Sequence, residues 1–197
     1  MPDELDRRPA GGGDFEREAL VHLDAVYRFA RTMTGSESDA EDLSQETYLQ
    51  AWRHWQQYAA GTNCCAWLFT ICRNLRIKTV RRREREIVAD DAEMENLAAA
   101  ALHAGLVDSD PMGQFLDAPE LAEVVRREVQ RLPLEYREAV ALADLEDQSY
   151  ESIAQVLGVP IGTVKSRLFR GRRMLQQSLI NYAHDAGLVA RPGAAPQ

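Results

Sequence analysis

The stretch from Ser149 to Arg173 reads SYESIAQVLGVPIGTVKSRLFRGRR and decides the fold of the C-terminal part of the chain. Ser149 is a residue type that caps the start of a helix, and Gly158 permits the left-handed turn at a helix end. Pro160 follows at the first position of a new helix, which proline favours. Two short helices joined by such a turn form a helix-turn-helix, whose second helix enters the major groove of duplex DNA.

The second helix of this motif has an apolar stripe and a polar face. At helical spacing the stripe, which should pack on the domain, contains Ile161, Val164, Leu168, Gly171 and Leu175. The residues away from it are Thr163, Lys165, Ser166, Arg167, Phe169 and Arg170. Phe169 is informative, because an aromatic group outside the packed stripe suits an apolar contact with bases, while Arg and Lys suit guanine edges. The pattern favours a DNA-reading helix over the alternative, an ordinary solvated face.

The net charge of −8, from 31 Asp and Glu against 23 Lys and Arg, looks wrong for a nucleic-acid-binding protein. The acids are concentrated, however, because Val88–Glu120 holds eight of them and no Lys or Arg. Two other stretches are basic: Arg73–Arg85 has seven bases and one acid, and Val159–His184 has five bases and no acid. Bases clustered on particular elements are typical of phosphate-binding surfaces.

Helical periodicity runs through two blocks of the chain, and no alternating strand pattern appears. In the first block we predict a helix that Gly35 ends, a second helix that Ser38 and Glu41 open as a capping box, and a loop around 61–63. The second helix reaches about residue 58, and a third runs over about 66–85. In the second block, Leu132-Pro133 ends one helix, and further helices follow over about 133–145, 149–157 and 160–181.

We therefore predict an all-α fold of two small helical domains joined by an acidic linker, the C-terminal domain being a helix-turn-helix. No run of about 18 apolar residues exists, and the N-terminus lacks the apolar core of a signal peptide, so we expect a cytoplasmic protein without membrane insertion. The predicted boundaries are 1–14 for a flexible N-terminus, 15–87 for the first domain, 88–119 for the linker, 120–182 for the second domain and 183–197 for a flexible tail.

Three segments together resemble a known family. Ser149–Arg173 closely resembles region four of bacterial RNA polymerase sigma factors of the extracytoplasmic-function (ECF) group. Asp39–Tyr48 resembles their core-polymerase-binding helix in region two, and Gly61–Asn74 resembles the strand-opening part of that region. The resemblance implies a promoter-specificity subunit that binds core RNA polymerase, directs it to −35/−10 promoters and helps to open the duplex. It also implies an anti-sigma factor as a further partner.

The resemblance carries over to the C-terminal helix residue by residue. It implies that the −35 element is read by Lys165, Ser166, Phe169 and Arg170, and that phosphates are held by Thr163, Arg167 and Arg172. Gly171 stands where the family usually has alanine. Because Gly171 lies on the packed stripe, we expect the change to affect stability or helix approach more than base choice.

In the N-terminal domain, the resemblance implies two binding surfaces. One is a helix face that binds polymerase, and the other is a loop and the following helix, which bind the −10 element. The face, at i, i+3, i+4, i+7 spacing, consists of Asp42, Gln45, Glu46 and Leu49, and it would dock on the polymerase rather than simply be solvated. The −10 element, partly single-stranded, would contact Asn63, Cys64, Arg73, Asn74, Lys78 and Arg81, since basic grooves with aromatic groups bind unpaired strands. Trp67 is either a wedge in the DNA or, as we favour, a core residue.

Other functions are less well supported. A stand-alone helix-turn-helix regulator needs neither the Asp42 face nor the basic helix after Arg73, and no nucleophile–base set or phosphate loop indicates an enzyme. The spacing of Cys64, Cys65 and Cys72 matches no common zinc site, so we expect no metal, no cofactor and a buried, apolar role for Cys72. The acidic linker is either a plain spacer or a mimic of nucleic acid in the polymerase channels.

Overall fold

The computed structural model describes residues 12–90 and 119–185. Within these ranges the chain is helical and has no strand, which confirms the predicted all-α fold. Most of the predicted flexible ends and of the acidic linker lie outside the described residues. The helices are α1 (Gly12–Glu18), α2 (Leu23–Met33), α3 (Glu37–Arg53), α4 (Cys64–Asp90), α5 (Pro119–Arg131), α6 (Leu134–Val140), α7 (Tyr150–Leu157) and α8 (Ile161–Asp185).

The N-terminal half is a bundle in which α2, α3 and α4 pack on one another. Phe29 of α2 and Phe69 of α4 meet at its centre with ring centroids 5.0 Å apart, and both are fully buried. Leu68 and Cys72 are also fully buried, as the predicted core stripe of the third helix requires, and Ile71 and Leu75 are half-buried. Cys72 is thus the small buried apolar residue that the sequence predicts.

Several predicted boundaries in this half are wrong, among them the end of the second helix, which lies at Arg53 and not at about residue 58. The first helix is broken, because a 3-10 turn over Leu20–His22 separates α1 from α2. Ser36, not Ser38, caps α3, since its hydroxyl accepts a hydrogen bond from the backbone N–H of Asp39 at 3.1 Å. The third helix begins at Cys64 rather than Ala66, because the Asn63 side chain accepts from the N–H of Ala66 at 3.0 Å and caps the helix.

The C-terminal half contains the predicted helix-turn-helix, formed by α7 and α8. Ser149 accepts from the N–H of Ser152 at 3.2 Å, and Gly158 has the left-handed backbone (φ 65°) that ends α7. Pro160 precedes α8 instead of occupying its first position, and its carbonyl accepts from the N–H groups of Thr163 and Val164. Between α6 and α7 the chain forms a π-helical turn over Ala141–Leu145, which the sequence did not indicate.

The stripe predicted on α8 is confirmed except at its first residue. Val164, Leu168, Gly171 and Leu175 are buried, whereas Ile161, the first residue of α8, is 39% exposed. Leu132 and Pro133 separate α5 from α6, as predicted.

The two halves share one hydrophobic core. Helix α4 packs on α7, and α2 packs on α5, α6 and the π turn. The Gln130 side chain on α5 donates to two carbonyls at the end of α2, those of Arg31 at 2.7 Å and Thr34 at 3.0 Å. The joined domains therefore lie against each other, a packing that the sequence did not predict.

Gly171 allows α8 to approach α6 closely. A Cβ at this position would lie 2.7 Å from the Cγ2 atom of Val140 and 3.2 Å from the Cβ atom of Tyr136. Val140 is fully buried and has a short, stiff side chain, so it has little room to move. This close approach explains why residue 171 is glycine, although the family that the sequence resembles usually has alanine there.

We expect Gly171→Ala to lower the free energy of unfolding by about 1 kcal/mol in urea denaturation. Overpacking costs about 1–3 kcal/mol, and the gain in helix propensity returns only about 1 kcal/mol. Gly162→Ala on the same helix is the matched control, because nothing lies within 4 Å of its added Cβ. A Gly171→Ala protein as stable as Gly162→Ala would show that the close approach is not a constraint.

Candidate functional site

The polar face of α8 is open to solvent at the residues predicted to read bases. Lys165, Ser166 and Arg170 are exposed, and Phe169, at 38% exposure, is not part of the packed stripe. An aromatic ring between cationic side chains on an exposed helix provides both apolar and hydrogen-bonding contacts for base edges. The geometry of this face agrees with the pattern that the sequence indicates.

Two of the three residues predicted to hold phosphates are already paired with acids. The Arg172 guanidinium donates two hydrogen bonds to Asp144, from Nε at 3.1 Å and from Nη2 at 2.5 Å, and this bonding raises the pKa of Arg172. Arg167 lies 3.6 Å from the carboxylate of Glu135. Thr163, the third, is half-buried in the first turn of α8. Asp144 of the π turn therefore holds Arg172 by two hydrogen bonds, and Glu135 of α6 lies near Arg167.

The face predicted to dock on polymerase lies along the outer side of α3. Asp42, Gln45 and Leu49 are exposed, and Leu49 is 42% accessible although it is a large apolar residue. Glu46 is half-buried and accepts a hydrogen bond from the Gln50 amide at 2.8 Å. The opposite side of the helix is buried in the bundle, so this face is the one that α3 offers to another molecule.

The residues predicted to contact the −10 element do not form one cluster. Asn74, Lys78 and Arg81 are exposed along α4, whereas Arg73 is half-buried and faces the C-terminal half. Cys64 is only 5% exposed in this structure, so its predicted contact with DNA has no open surface here. Since α4 begins two residues earlier than predicted, Cys64 lies in its first turn and faces the core instead of the loop.

A cleft between the end of α3 and the middle of α4 brings Asn74 and Lys78 together with residues that the sequence analysis missed. The cleft is lined by Gln50, His54, Gln57, Trp67, Ile71, Asn74, Leu75 and Lys78. Gln50 and His54 follow Glu46 at i, i+4 spacing. This spacing in the sequence indicates that the three residues share one face of the helix. The apolar and aromatic lining comes from α4. The polar groups around it are side-chain amides, the His54 imidazole and the Lys78 ammonium group.

Trp67 belongs both to the core and to this cleft. Its ring is 5.9 Å from that of Trp55 and 5.3 Å from that of Tyr58, so one side packs in an aromatic cluster. Its residual exposure is on the cleft side, where an unpaired base could stack. The packing thus agrees with the core interpretation of Trp67, and a contact of its ring with DNA stays a prediction.

Four polar contacts join the N-terminal half to the C-terminal half near these surfaces. Arg73 donates from Nε to Glu138 at 2.9 Å, and Arg28 donates to both oxygens of Glu146 at 3.2 and 2.8 Å. The Asn63 amide reaches Gln148 and Ser152 at 3.4 Å each. Two of the predicted DNA-binding residues, Asn63 and Arg73, thus already contact another part of the chain.

The sequence matches two family models, sigma-70 region 2 over residues 20–86 and sigma-70 region 4 over residues 122–175. It is 38% identical over 169 residues to the ECF RNA polymerase sigma factor SigE of Mycolicibacterium smegmatis, and 35% identical over 171 residues to the ECF sigma factor EcfG of Rhodopseudomonas palustris. Each alignment covers 86% of this chain. The chain belongs to the ECF group of the sigma-70 family. It spans 63% of the length of SigE and 88% of that of EcfG.

Solved structures of sigma factors have the same fold. The sigma factor RpoE of Bartonella quintana, in complex with the anti-sigma factor NepR, is 34% identical, and the match covers 85% of this chain and 97% of that one with a TM-score of 0.65. CnrH, in complex with the cytosolic domain of CnrY, is 23% identical with a TM-score of 0.61, and it supports the fold alone. Because both regions of a sigma factor match in order, a stand-alone helix-turn-helix regulator is not favoured.

The cysteines of this sigma factor lie inside the bundle. All three are free and buried, and burial raises the pKa of Cys64 to about 11 and those of Cys65 and Cys72 to about 12. A thiol needs its thiolate form to react or to bind a metal, so these values disfavour a redox role. Within the two described ranges, no group of three His, Cys, Asp or Glu residues could hold a metal ion. In the same ranges, no helix has the length and apolar character of a membrane span.

Proposed function

We propose that this sigma factor binds core RNA polymerase through the exposed face of α3 and directs it to promoters that have a −35 and a −10 element. The observation that carries the proposal is that one chain has two separate surfaces whose exposed groups suit nucleic acid. One is the exposed face of α8 in a helix-turn-helix, and the other is the cleft between α3 and α4. A regulator that binds only duplex DNA has no use for the second surface.

The −35 element is assigned to α8. Lys165, Ser166, Phe169 and Arg170 provide base contacts in the major groove, and Thr163, Arg167 and Arg172 contact phosphates at its edges. The pairs Arg172–Asp144 and Arg167–Glu135 orient the guanidinium groups before binding, so less side-chain entropy is lost on the DNA. The C-terminal domain, 120–182, therefore acts as the upstream reader.

The −10 element is assigned to the cleft of the N-terminal domain, 15–87. Trp67 offers a stacking surface, Asn74 offers hydrogen bonds to a base edge, and Lys78 and Arg81 on the same helix attract the strand. His54 and Gln50 line the opposite wall and add donors and acceptors for base choice. Asn63 and Arg73 extend this surface once the C-terminal half moves away from them.

The partners follow from the surfaces and the family. Asp42, Glu46 and Gln45 around the exposed Leu49 suit a basic partner surface with an apolar pocket, here core polymerase. An anti-sigma factor is a further partner, by analogy with the RpoE complex. We place the protein in the cytoplasm, where core polymerase acts, and assign it no catalytic activity of its own.

Charge reversal at Asp42 and Glu46 tests the docking face. We expect the double variant Asp42→Lys/Glu46→Lys to keep its fold and lose co-purification with core polymerase, because like charges would then face each other. The matched control is Glu16→Lys, an exposed acid on α1. Retention of the double variant by core polymerase at the wild-type level would contradict the docking assignment.

A crossed transcription experiment tests the division of labour between the two DNA surfaces. We expect Arg170→Ala to reduce run-off transcription about tenfold or more on a promoter with both elements, since a bidentate base contact is worth roughly 1–3 kcal/mol. On a promoter with only the −10 element its effect should be small, whereas Lys78→Ala should reduce transcription on both promoters. Equal losses by Arg170→Ala on the two promoters would rule out its role in reading the upstream element.

A further inference from the structure

The loop that joins the two walls of the cleft is exposed along its whole length. It spans residues 59–63, between a 3-10 turn over Trp55–Gln57 and the start of α4, and every residue in it is exposed. Gln57 before the loop and Trp67 after it both line the cleft. The position of the loop therefore affects the shape of the cleft, and something other than burial of its own side chains must fix it.

Hydrogen bonds fix this loop. The Tyr58 hydroxyl donates to the carbonyl oxygen of Thr62 at 2.8 Å. Thr62 donates twice to the carbonyl oxygen of Ala59, from Oγ1 at 2.7 Å and from its backbone N–H at 3.1 Å. At the end of the loop, the Asn63 side chain caps α4. The bond from Tyr58 is the one that ties the loop to an aromatic cluster of the domain.

The Tyr58 ring is anchored in a cluster that includes one wall of the cleft. Its centroid lies 4.8 Å from that of Trp55 in a stacked geometry and 5.3 Å from that of Trp67. Trp55 is only 7% exposed and packs edge-on against Phe15 of α1, so it is a firm support. One side chain, Tyr58, thus holds the Trp67 ring and the loop in a fixed relation to each other.

The Tyr58 hydroxyl lies where α1, the loop and α4 meet. The Glu18 side chain at the end of α1 and the Cys64 thiol at the start of α4 are within hydrogen-bond reach of it. Burial raises the pKa of Tyr58, so the hydroxyl keeps its proton and acts as a donor. One net hydrogen bond changes the population of a loop conformation by about two- to tenfold.

Selection of a base depends on such a fixed geometry. A site that accepts an extruded base distinguishes it by hydrogen bonds to its edge, so the groups around the site must keep their positions. A loop released from Tyr58 presents different donors and acceptors to the cleft in each conformation. The attraction of the strand to Lys78 does not depend on the loop, because it acts on phosphates of any sequence. Release of the loop therefore costs base selectivity more than it costs strand affinity.

We propose that Tyr58 is a positioning residue for base selection. Its hydroxyl holds the 59–63 loop and its ring holds Trp67, and together they determine which base the cleft accepts at one position of the −10 element. The inference rests on the assignment of the −10 element to the N-terminal half. It assigns to Tyr58 a role in selectivity without a contact between Tyr58 and DNA.

Run-off transcription by reconstituted holoenzyme tests this inference. The template is a promoter that the wild-type protein uses, with each position of its −10 element replaced in turn by the other three bases. The measurement is the ratio of initial rates on the preferred base and on each replacement. We expect Tyr58→Phe, which keeps the ring and removes the hydroxyl, to lower this ratio about two- to tenfold at one position. Selectivity in the −35 element should not change.

Two further variants separate positioning of the loop from general stability. Tyr48→Phe is the matched control, because the Tyr48 hydroxyl also donates to a backbone carbonyl of the N-terminal half, that of Ala19 at 3.3 Å, but not to the loop. It should leave every −10 ratio unchanged. Thr62→Val removes the other side-chain bond of the loop at nearly constant shape and should lower the ratio at the same position as Tyr58→Phe. Since both bonds fix one loop, their combined effect should be smaller than the product of the two fold-changes.

The outcomes distinguish failure of this inference from failure of the proposed function. Unchanged −10 ratios for Tyr58→Phe, with wild-type selectivity elsewhere, would overturn the role of Tyr58 and leave the function standing. An equal fall for Tyr48→Phe would show that any loosening of the domain has this effect and would also overturn it. If thermal unfolding shows that Tyr58→Phe is not folded, the ratio for Thr62→Val decides in the same way. A wild-type holoenzyme without base preference in the −10 element would overturn the −10 assignment itself.

Discussion

The packing of the N-terminal half against the C-terminal half, which buries Glu138 and Glu146 between them, is the constraint on which the structure of this sigma factor depends. Both carboxylates are out of water, and each must be next to an arginine of the other half to remain charged there. The apolar contacts of α4 with α7, and of α2 with α5 and α6, hold the halves together. The ion pairs add geometric specificity, because each glutamate meets one arginine of the other half.

The acids that control the basic surfaces lie close together in sequence. Glu135, Glu138, Asp144 and Glu146 each pair with an arginine, and two of these arginines are on α8 and two are in the N-terminal half. The π turn over Ala141–Leu145 lies between the second and fourth of these acids, and such turns occur often at functional sites because they change the direction of the following side chains. Asp144 consequently faces α8 while Glu146 faces α2. One short segment thus pairs with arginines in both halves of the chain.

Much of the fold follows from local rules, and the sequence therefore predicts it. Ser149 caps the start of α7, and the left-handed backbone of Gly158 ends it. The buried stripe from Val164 to Leu175 follows from helical spacing alone. Cys64 shows where such rules fail, since a shift of two residues in the start of α4 moves its side chain from a loop into the core. The contact between Arg28 and Glu146 is harder to predict, because the two residues are 118 positions apart and no local pattern relates them. Only the packing of the two halves makes them neighbours.

The distance between the halves, measured in the free chain and in holoenzyme, tests the central claim most directly. The native cysteines are buried, so dyes can be attached at the exposed positions of Gln56→Cys and Gln155→Cys and read by single-molecule energy transfer. We predict one narrow, high-transfer population for the free wild-type chain and a shift to low transfer on core polymerase. A free chain that already shows a broad low-transfer distribution, unchanged by polymerase, would contradict the account.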